Sequence, residues 1–283
     1  MPTFIEKLQA AAERNNSLLC VGLDPDPKLM PVADVAEFNR AIIEATSDLV
    51  CAYKPNLAFY EALGPAGHEA LEETLKVIPS WIPVIGDSKR GDIGNTAAAY
   101  AKAMFGVWGF DCVTVNAFGG QDSVEPFLDY HDKGVLVWCR SSNPGARELQ
   151  DLIVTPPLGG DSRPFYEWVA ISAAKWNTHG NVGLVVGATY PGELEVIRDL
   201  CPDMPILIPG VGAQEGSLEK STLAGIDVKG RNAIVSASRG VLYAGKDPAT
   251  YPDDARNAAL QLRDRMNAML KDRELGWPPK WAL

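Results

Sequence analysis

Residues 84–96 read VIGDSKRGDIGNT, an apolar run that ends in closely spaced charges at Asp87, Lys89 and Asp92. The apolar residues, with Trp81 and Ile82 just before them, predict a short buried strand that ends in a turn. Side chains alternate between the two faces of an extended chain, so Asp87 and Lys89 are expected to point the same way. Charges at the end of a buried strand must be paired. The stretch therefore predicts either a structural ion-pair network or an active site.

The same unit, an apolar strand followed by a helix, recurs along the chain. Strands are predicted at residues 18–23, 49–53, 81–85, 111–115, 134–139, 182–186, 205–208 and 232–236. After an amphipathic N-terminal helix, further helices are predicted at residues 35–48, 68–78, 96–105, 123–130, 165–176, 191–200, 217–224 and 254–270. This alternation is typical of an α/β protein and favours a (β/α)8 TIM barrel. An open flavodoxin-like or Rossmann sheet is the alternative, although the first strand ends in GLDPDP rather than G-x-G-x-x-G.

No shift in composition marks a domain boundary, so residues 1–283 are expected to form one domain. Residues 140–163 interrupt the rhythm with several prolines and glycines. A loop of this length inside a compact domain is typical of an active-site lid. The C-terminal helix and tail, residues 253–283, carry no motif.

Composition narrows the class of protein. The net charge of −10 argues against non-specific nucleic-acid binding. No apolar run approaches the roughly 18–20 residues of a membrane span, and the N-terminus lacks the apolar core of a signal peptide. The five cysteines are odd in number and widely spaced, which predicts core residues in a reducing compartment. The expected location is the cytoplasm.

In a parallel barrel, functional groups lie at the C-terminal ends of the strands. Polar residues follow the predicted strands at Asp24, Lys54, Asp87 with Lys89 and Asp92, Asn116, Ser141 with Ser142, Gln214 and Arg239. After the seventh and eighth strands, Gly210, Gly212 and the Ser238–Arg239–Gly240 turn are typical of a phosphate site, where Arg239 would add a bidentate contact. Ordinary glycine turns with a surface arginine are the alternative.

The three histidines, His68, His131 and His179, are scattered without the spacing of metal ligands. They are expected to be surface or hydrogen-bonded side chains. The sequence likewise has no G-x-S-x-G motif for a Ser–His–Asp hydrolase and no flavin or pyridoxal phosphate signature. We therefore expect neither a metal nor a cofactor.

Five motifs in order carry a resemblance to a known family: YKPNLAFYE (53–61), DSKRGDIGNT (87–96), RSSNPGA (140–146), PGVGAQ (209–214) and SASRG (236–240). Together they closely resemble orotidine 5′-phosphate decarboxylases of the longer bacterial type (type 2), from about residue 19 to about residue 243. The D-x-K-x-x-D pattern alone is shared with sugar-phosphate decarboxylases of the same superfamily, whereas the full set of motifs is specific.

The resemblance implies cofactor-free decarboxylation of orotidine 5′-monophosphate to uridine 5′-monophosphate, the last step of de novo pyrimidine synthesis. It implies a catalytic array in which Lys89 protonates C6 of the base, formed by Lys54, Asp87, Lys89 and Asp92. It implies a homodimer in which Asp92 and Thr96 cross the interface. The implied substrate contacts are Asp24 and Lys54 for the ribose, Ser142 for the base, and Gly210, Gly212, Gln214 and Arg239 for the phosphate. The role of Asn116 stays open.

Two other functions remain as alternatives. A Mg²⁺-dependent sugar-phosphate decarboxylase or aldolase of the same superfamily would need further carboxylates near the third strand, where Arg90 and Gly91 stand instead. A non-catalytic barrel that binds a phosphorylated metabolite would bind nucleotide without turnover. The complete set of Lys and Asp residues argues against this second alternative.

Overall fold

A computed structural model of the protein describes residues 2–155, 160–211 and 217–277. Its strands are β1 (Leu19–Leu23), β2 (Ala52–Pro55), β3 (Ile85–Arg90), β4 (Cys112–Val115), β5 (Gly134–Arg140), β6 (Ile153–Val154), β7 (Arg163–Pro164), β8 (Val182–Val186), β9 (Ile206–Pro209) and β10 (Ala233–Ala237). Eight of them form one parallel sheet in the order β2-β1-β10-β9-β8-β5-β4-β3. The other two, β6 and β7, form a separate antiparallel pair.

The two edges of the eight-stranded sheet meet. Bridges join Tyr53 to Val84 and Asn56 to Asp87, and the Tyr53 N–H donates to the Pro83 carbonyl at 3.1 Å. The sheet is therefore a closed barrel, which confirms the predicted TIM barrel over an open sheet.

The helices pack around this barrel. They are α1 (Phe4–Asn15), α2 (Val35–Thr46), α3 (Leu57–Glu61), α4 (Pro65–Val77), α5 (Gly94–Ala101), α6 (Glu125–Leu128), α7 (Arg147–Gln150), α8 (Phe165–Trp176), α9 (Pro191–Leu200), α10 (Leu218–Gly225), α11 (Arg239–Leu242) and α12 (Tyr251–Asp272). A π-helical turn, Lys102–Val107, continues α5, and 3-10 turns cover Gln121–Ser123 and Pro144–Ala146. The bounds predicted for α8, α9 and β8 are confirmed.

The third strand differs from its prediction, because it spans Ile85–Arg90 and includes the charged residues. Its register against β4 shifts between Gly86 and Arg90. The apolar residues just before it lead into the strand past Pro83, which has no N–H to donate to a ladder.

The barrel interior is lined by one apolar side chain from each of its strands. These are Cys20, Ala52, Ile85, Cys112, Leu136, Val185, Leu207 and Ile234, all buried. Residues of the opposite parity, such as Leu19 and Val21 on β1, pack outward in the layer that also holds the surrounding helices. This two-residue alternation is the ordinary pleat of a strand.

Helix α1 closes the N-terminal end of the barrel. Phe4 and Leu8 pack against the interior side chains, and the Phe4 N–H donates to the Asp132 carbonyl at 2.9 Å. The Phe4 ring fills the space beside Gly134, where a Cβ would lie 2.2 Å from it. Lys7 pairs with Asp111 at 2.8 Å.

The five cysteines are all free and buried, as predicted for core residues. Within residues 2–155, 160–211 and 217–277, no helix is long and apolar enough to cross a membrane.

Residues 140–163 are more ordered than their sequence predicts. Arg140 completes β5 and is fully buried, whereas it was expected to begin a loop. Two short helical turns and the β6–β7 pair follow it. Residues 156–159 lie outside the described residues.

Candidate active site

The polar groups of the site follow from the strand pleat. On each strand, the residue two positions after the interior apolar residue again directs its side chain into the barrel, near the C-terminal end of the strand. Lys54, Asp87, Thr114, Trp138 and Ser236 occupy this second position on β2, β3, β4, β5 and β10. The charged and polar groups therefore form a layer directly above the apolar interior.

Asp87 lies between two lysines in this layer. Its Oδ1 accepts from Lys89 Nζ at 2.6 Å and its Oδ2 accepts from Lys54 Nζ at 3.1 Å. Lys54 Nζ is also 3.9 Å from Asp24 Oδ1. Lys54 is buried, whereas the Lys89 side chain is 37% exposed and so reaches the opening of the barrel.

These contacts determine the charge states of the cluster. Burial by itself raises the pKa of Asp87, but Lys54 and Lys89 outweigh this effect and hold its pKa below the ordinary value. Burial likewise lowers the pKa of Lys54, and the carboxylates of Asp24 and Asp87 outweigh it and raise that pKa. The Lys54–Asp87 pair is consequently ionised around neutral pH.

A cavity of about 510 Å³ opens above the cluster at the C-terminal end of the barrel. Among the predicted site residues it is lined by Asp24, Lys54, Asp87, Lys89, Ser142, Gly210 and Arg239. The structure thus brings these residues together around one space. Gly212 and Gln214 lie outside the described residues.

Asp92 and Thr96 are not drawn into this cluster within the chain. Asp92 is exposed and its Oδ1 accepts from the Ile93 N–H at 2.7 Å. Among the described residues it makes no ion pair. Thr96 lies in the first turn of α5.

Close backbone approach shapes the end of the cavity near Arg239. A Cβ on Gly22 would lie 2.0 Å from Ser238 Oγ, so β1 needs glycine there for the Ser238–Arg239 turn to pack beside it. Gly210 has a φ of +94°, a backbone conformation that residues other than glycine rarely adopt. These two glycines bring the turns after β9 and β10 to the edge of the cavity.

Tyr243 holds the turn that carries Asp24, and sequence reasoning missed it. Its hydroxyl donates to the Asp24 carbonyl at 2.9 Å and accepts from the Asp26 N–H at 2.7 Å. Tyr243 follows α11, so it ties the first strand exit to the last. No local pattern distinguishes this tyrosine from an ordinary core aromatic residue.

Asn116 shapes the turn after β4. Its Oδ1 accepts from the Phe118 N–H at 3.0 Å, and its own N–H donates to the Arg90 carbonyl at 2.8 Å. A Cβ on Gly91 would lie 2.1 Å from the Asn116 carbonyl oxygen. In this structure Asn116 therefore packs the β3 and β4 exits together.

The histidines are exposed, as predicted, but two of them are not scattered. His131 and His179 stack with ring centroids 3.7 Å apart. Across the described ranges, no group of three or more His, Cys, Asp or Glu side chains is arranged to hold a metal ion.

Comparison with known proteins agrees with this geometry. The sequence model of the orotidine 5′-phosphate decarboxylase / HUMPS family matches residues 17–251. An orotidine 5′-phosphate decarboxylase of Thermomicrobium roseum is 50% identical over 277 residues, which cover 95% of this chain and 97% of that protein. One of Dehalococcoides mccartyi is 52% identical over 265 residues, covering 93% of this chain and 97% of the relative.

The fold comparison gives the same family. The structure of Leishmania donovani OMP decarboxylase superposes with a TM-score of 0.83 at 41% identity, covering 94% of this chain and 98% of that one. All five sequence motifs fall within residues 17–251, as does the cluster around Asp87. The chain belongs to the orotidine 5′-phosphate decarboxylase / HUMPS family.

Proposed function

We propose that this protein decarboxylates orotidine 5′-monophosphate to uridine 5′-monophosphate, the last step of de novo pyrimidine synthesis. The observation that carries the proposal is the Lys54–Asp87–Lys89 array above the apolar barrel interior, inside a cavity that also holds Arg239. The decarboxylases that this chain resembles at 50% identity or more support the same reaction.

In the proposed reaction, the bond between C6 and the substrate carboxylate breaks and CO2 leaves. The electron pair stays on C6, and a proton from Lys89 Nζ forms the new C6–H bond. A fixed ammonium group stabilises a developing carbanion most strongly where water is excluded. Asp87, held between two lysines, keeps Lys89 in place and faces the substrate carboxylate.

The remaining contacts bind the nucleotide. Asp24 Oδ1 is buried and has no hydrogen-bond donor among the described residues, so it can accept from a ribose hydroxyl. Lys54 would contact the ribose from the other side. Ser142 would bind the base, and Arg239 the phosphate together with Gly210, Gly212 and Gln214. Closure of residues 140–163 over the bound base would use phosphate binding to assemble the site.

The proposal includes a homodimer that shares Asp92 and Thr96 between subunits. Asp92 is exposed and makes no ion pair among the described residues. Two apolar side chains are exposed as well, namely its neighbour Ile93 at 70% and Phe118 at 79%. A dimer interface on this side of the barrel would remove these apolar side chains from water. We place the protein in the cytoplasm because its five cysteines are free and buried.

The decisive experiment follows the absorbance of orotidine 5′-monophosphate in the presence of EDTA, for wild type and Lys89→Ala. We expect rapid turnover by the wild type and a loss of at least about 100-fold in the variant, because a positioned proton donor is removed. No turnover of this nucleotide by a folded wild type, together with EDTA-sensitive activity on a sugar phosphate, would favour the Mg²⁺-dependent alternative. Tight nucleotide binding by an inactive wild type would favour the non-catalytic barrel.

A further inference from the structure

One side chain outside the cavity lining contacts the lysine–aspartate cluster from the neighbouring strand. Thr114, on β4, is 1% exposed. Its hydroxyl donates to Asp87 Oδ1 at 2.8 Å. The same oxygen accepts from the backbone N–H groups of Ser88 and Lys89, each at 3.0 Å. One hydroxyl group thus makes three hydrogen bonds to three consecutive residues, of which Asp87 and Lys89 belong to the proposed catalytic array.

The backbone of β3 needs this support. Gly86 pairs with Val113 and Arg90 pairs with Val115, so residues 87–89 face only Thr114 on the neighbouring strand. The extra residues cannot form an ordinary ladder. Instead, the Thr114 hydroxyl takes up two N–H groups, and Ser88 Oγ donates to the Thr114 carbonyl at 3.0 Å.

Lys89 also has an unusual backbone conformation. Its φ of +47° is in the left-handed region, which residues with a side chain seldom occupy. Such a conformation persists where the surroundings hold it in place. The Lys89 backbone N–H donates to the Thr114 hydroxyl. At the other end of the residue, Lys89 Nζ donates to Asp87, which itself accepts from the same hydroxyl.

We propose that Thr114 is a positioning residue that holds Asp87 and Lys89 in the geometry required for proton transfer to the substrate. It acts through these two residues and does not line the cavity. The kinetic part of this inference rests on the proposed decarboxylase function, whereas the structural part does not.

The first test is kinetic and uses Thr114→Val, which keeps the shape of the side chain and removes the hydroxyl. We expect kcat to fall by about 10- to 100-fold, because the proton donor is misplaced, while KM changes by less than about threefold. Thr114→Ser keeps the hydroxyl and is expected to stay within about threefold of wild type in kcat. Thr74→Val is the matched control, since Thr74 is an equally buried threonine on α4.

The second test needs no turnover. Amide hydrogen exchange of Ser88 and Lys89 should be at least about tenfold faster in Thr114→Val than in wild type or Thr114→Ser, because their acceptor is lost. An inactive wild type would refute the proposed reaction and leave this measurement to decide the role of Thr114.

Two outcomes would overturn the inference. One is a Thr114→Val protein with wild-type exchange at Ser88 and Lys89 and wild-type kcat. The other is a Thr114→Ser protein that loses as much kcat as Thr114→Val, since the methyl group would then matter rather than the hydroxyl. If Thr114→Val does not fold, Thr114→Ala replaces it in both comparisons, with the same expected results.

Discussion

At the scale of single residues, Asp87 is the centre of the site. It accepts three hydrogen bonds, from Lys54, Lys89 and Thr114, and its side chain is only 10% exposed. A buried carboxylate with cations on both sides stays ionised and holds those cations in place. Replacing it should therefore affect stability as well as activity.

We predict that Asp87→Asn is less stable than wild type by about 3 kcal/mol at pH 7, because it leaves buried Lys54 with one carboxylate. The folded-state pKa of Asp87 is lowered, so ionised Asp87 stabilises the folded protein above the ordinary Asp pKa near 3.9 and loses this effect as pH falls. The stability difference should thus shrink by roughly 1.4 kcal/mol per pH unit below about pH 4.

Urea unfolding of wild type and Asp87→Asn at pH 7, 5 and 3.5 measures this difference. Asp264→Asn is the control, because Asp264 is exposed and, within the described ranges, its ion-pair partner is the adjacent Arg263. This change should alter stability by less than about 1 kcal/mol. A stability difference that stays constant down to pH 3.5 would contradict the prediction.

At the scale of elements, Arg140 connects β5 to the segment after it. Its guanidinium lies 2.8 Å from Asp151 Oδ1 and 3.5 Å from Glu193 Oε1. It also stacks on Tyr190, 4.1 Å from the ring centroid. Gln150 Oε1 accepts from both Arg140 and the Ser141 N–H. The segment that was predicted as a lid is thus anchored next to Ser142.

We predict that Arg140→Met loosens this anchor. Hydrogen exchange across residues 143–155 should rise by about tenfold, and KM should rise more than kcat falls, because the proposed closure over the substrate would then be less favourable. Arg147→Met, a change on an exposed arginine of the same segment, is the control and should leave both quantities near wild type. Equal effects of the two variants would argue against the anchor.

Sequence reasoning succeeded where a pattern is local. The alternation of apolar runs predicted the barrel, and the strand ends predicted the residues around the cavity. It failed where a role depends on distant packing. Thr114 is a single polar residue in the apolar run DCVTV, and only its register opposite the irregular part of β3 gives it a function. Tyr243 also acquires its role from distant packing, since its partners Asp24 and Asp26 are more than 200 residues away in the sequence. Buried Arg140 pairs with Asp151 across a turn that the sequence does not predict.

At the scale of the whole molecule, the question is whether one chain contains a complete site. The described residues bring three members of the Lys54–Asp87–Lys89–Asp92 array together and leave Asp92 exposed. In a two-fold dimer each subunit could supply Asp92 to the other, because such an interface is reciprocal.

We predict that Lys89→Ala and Asp92→Asn, each nearly inactive alone, recover activity when mixed. A mixed dimer has one site with both residues intact, so random exchange of equal amounts should restore about a quarter of wild-type activity. Decarboxylase assays after subunit exchange, with sedimentation to measure the dimer, test this. Mixtures no more active than the sum of the separate variants would show that each chain uses its own Asp92.

Helix α1 closes the N-terminal end of the barrel. Phe4 and Leu8 fill the base of the barrel below the apolar layer. Among the described residues, a ligand bound above that layer is therefore reached from the C-terminal opening. In the proposed decarboxylation, both products, CO2 and the nucleotide, would then leave through the opening that admitted the substrate. Any segment that covers this opening then controls the exit of both products as well as the entry of the next substrate.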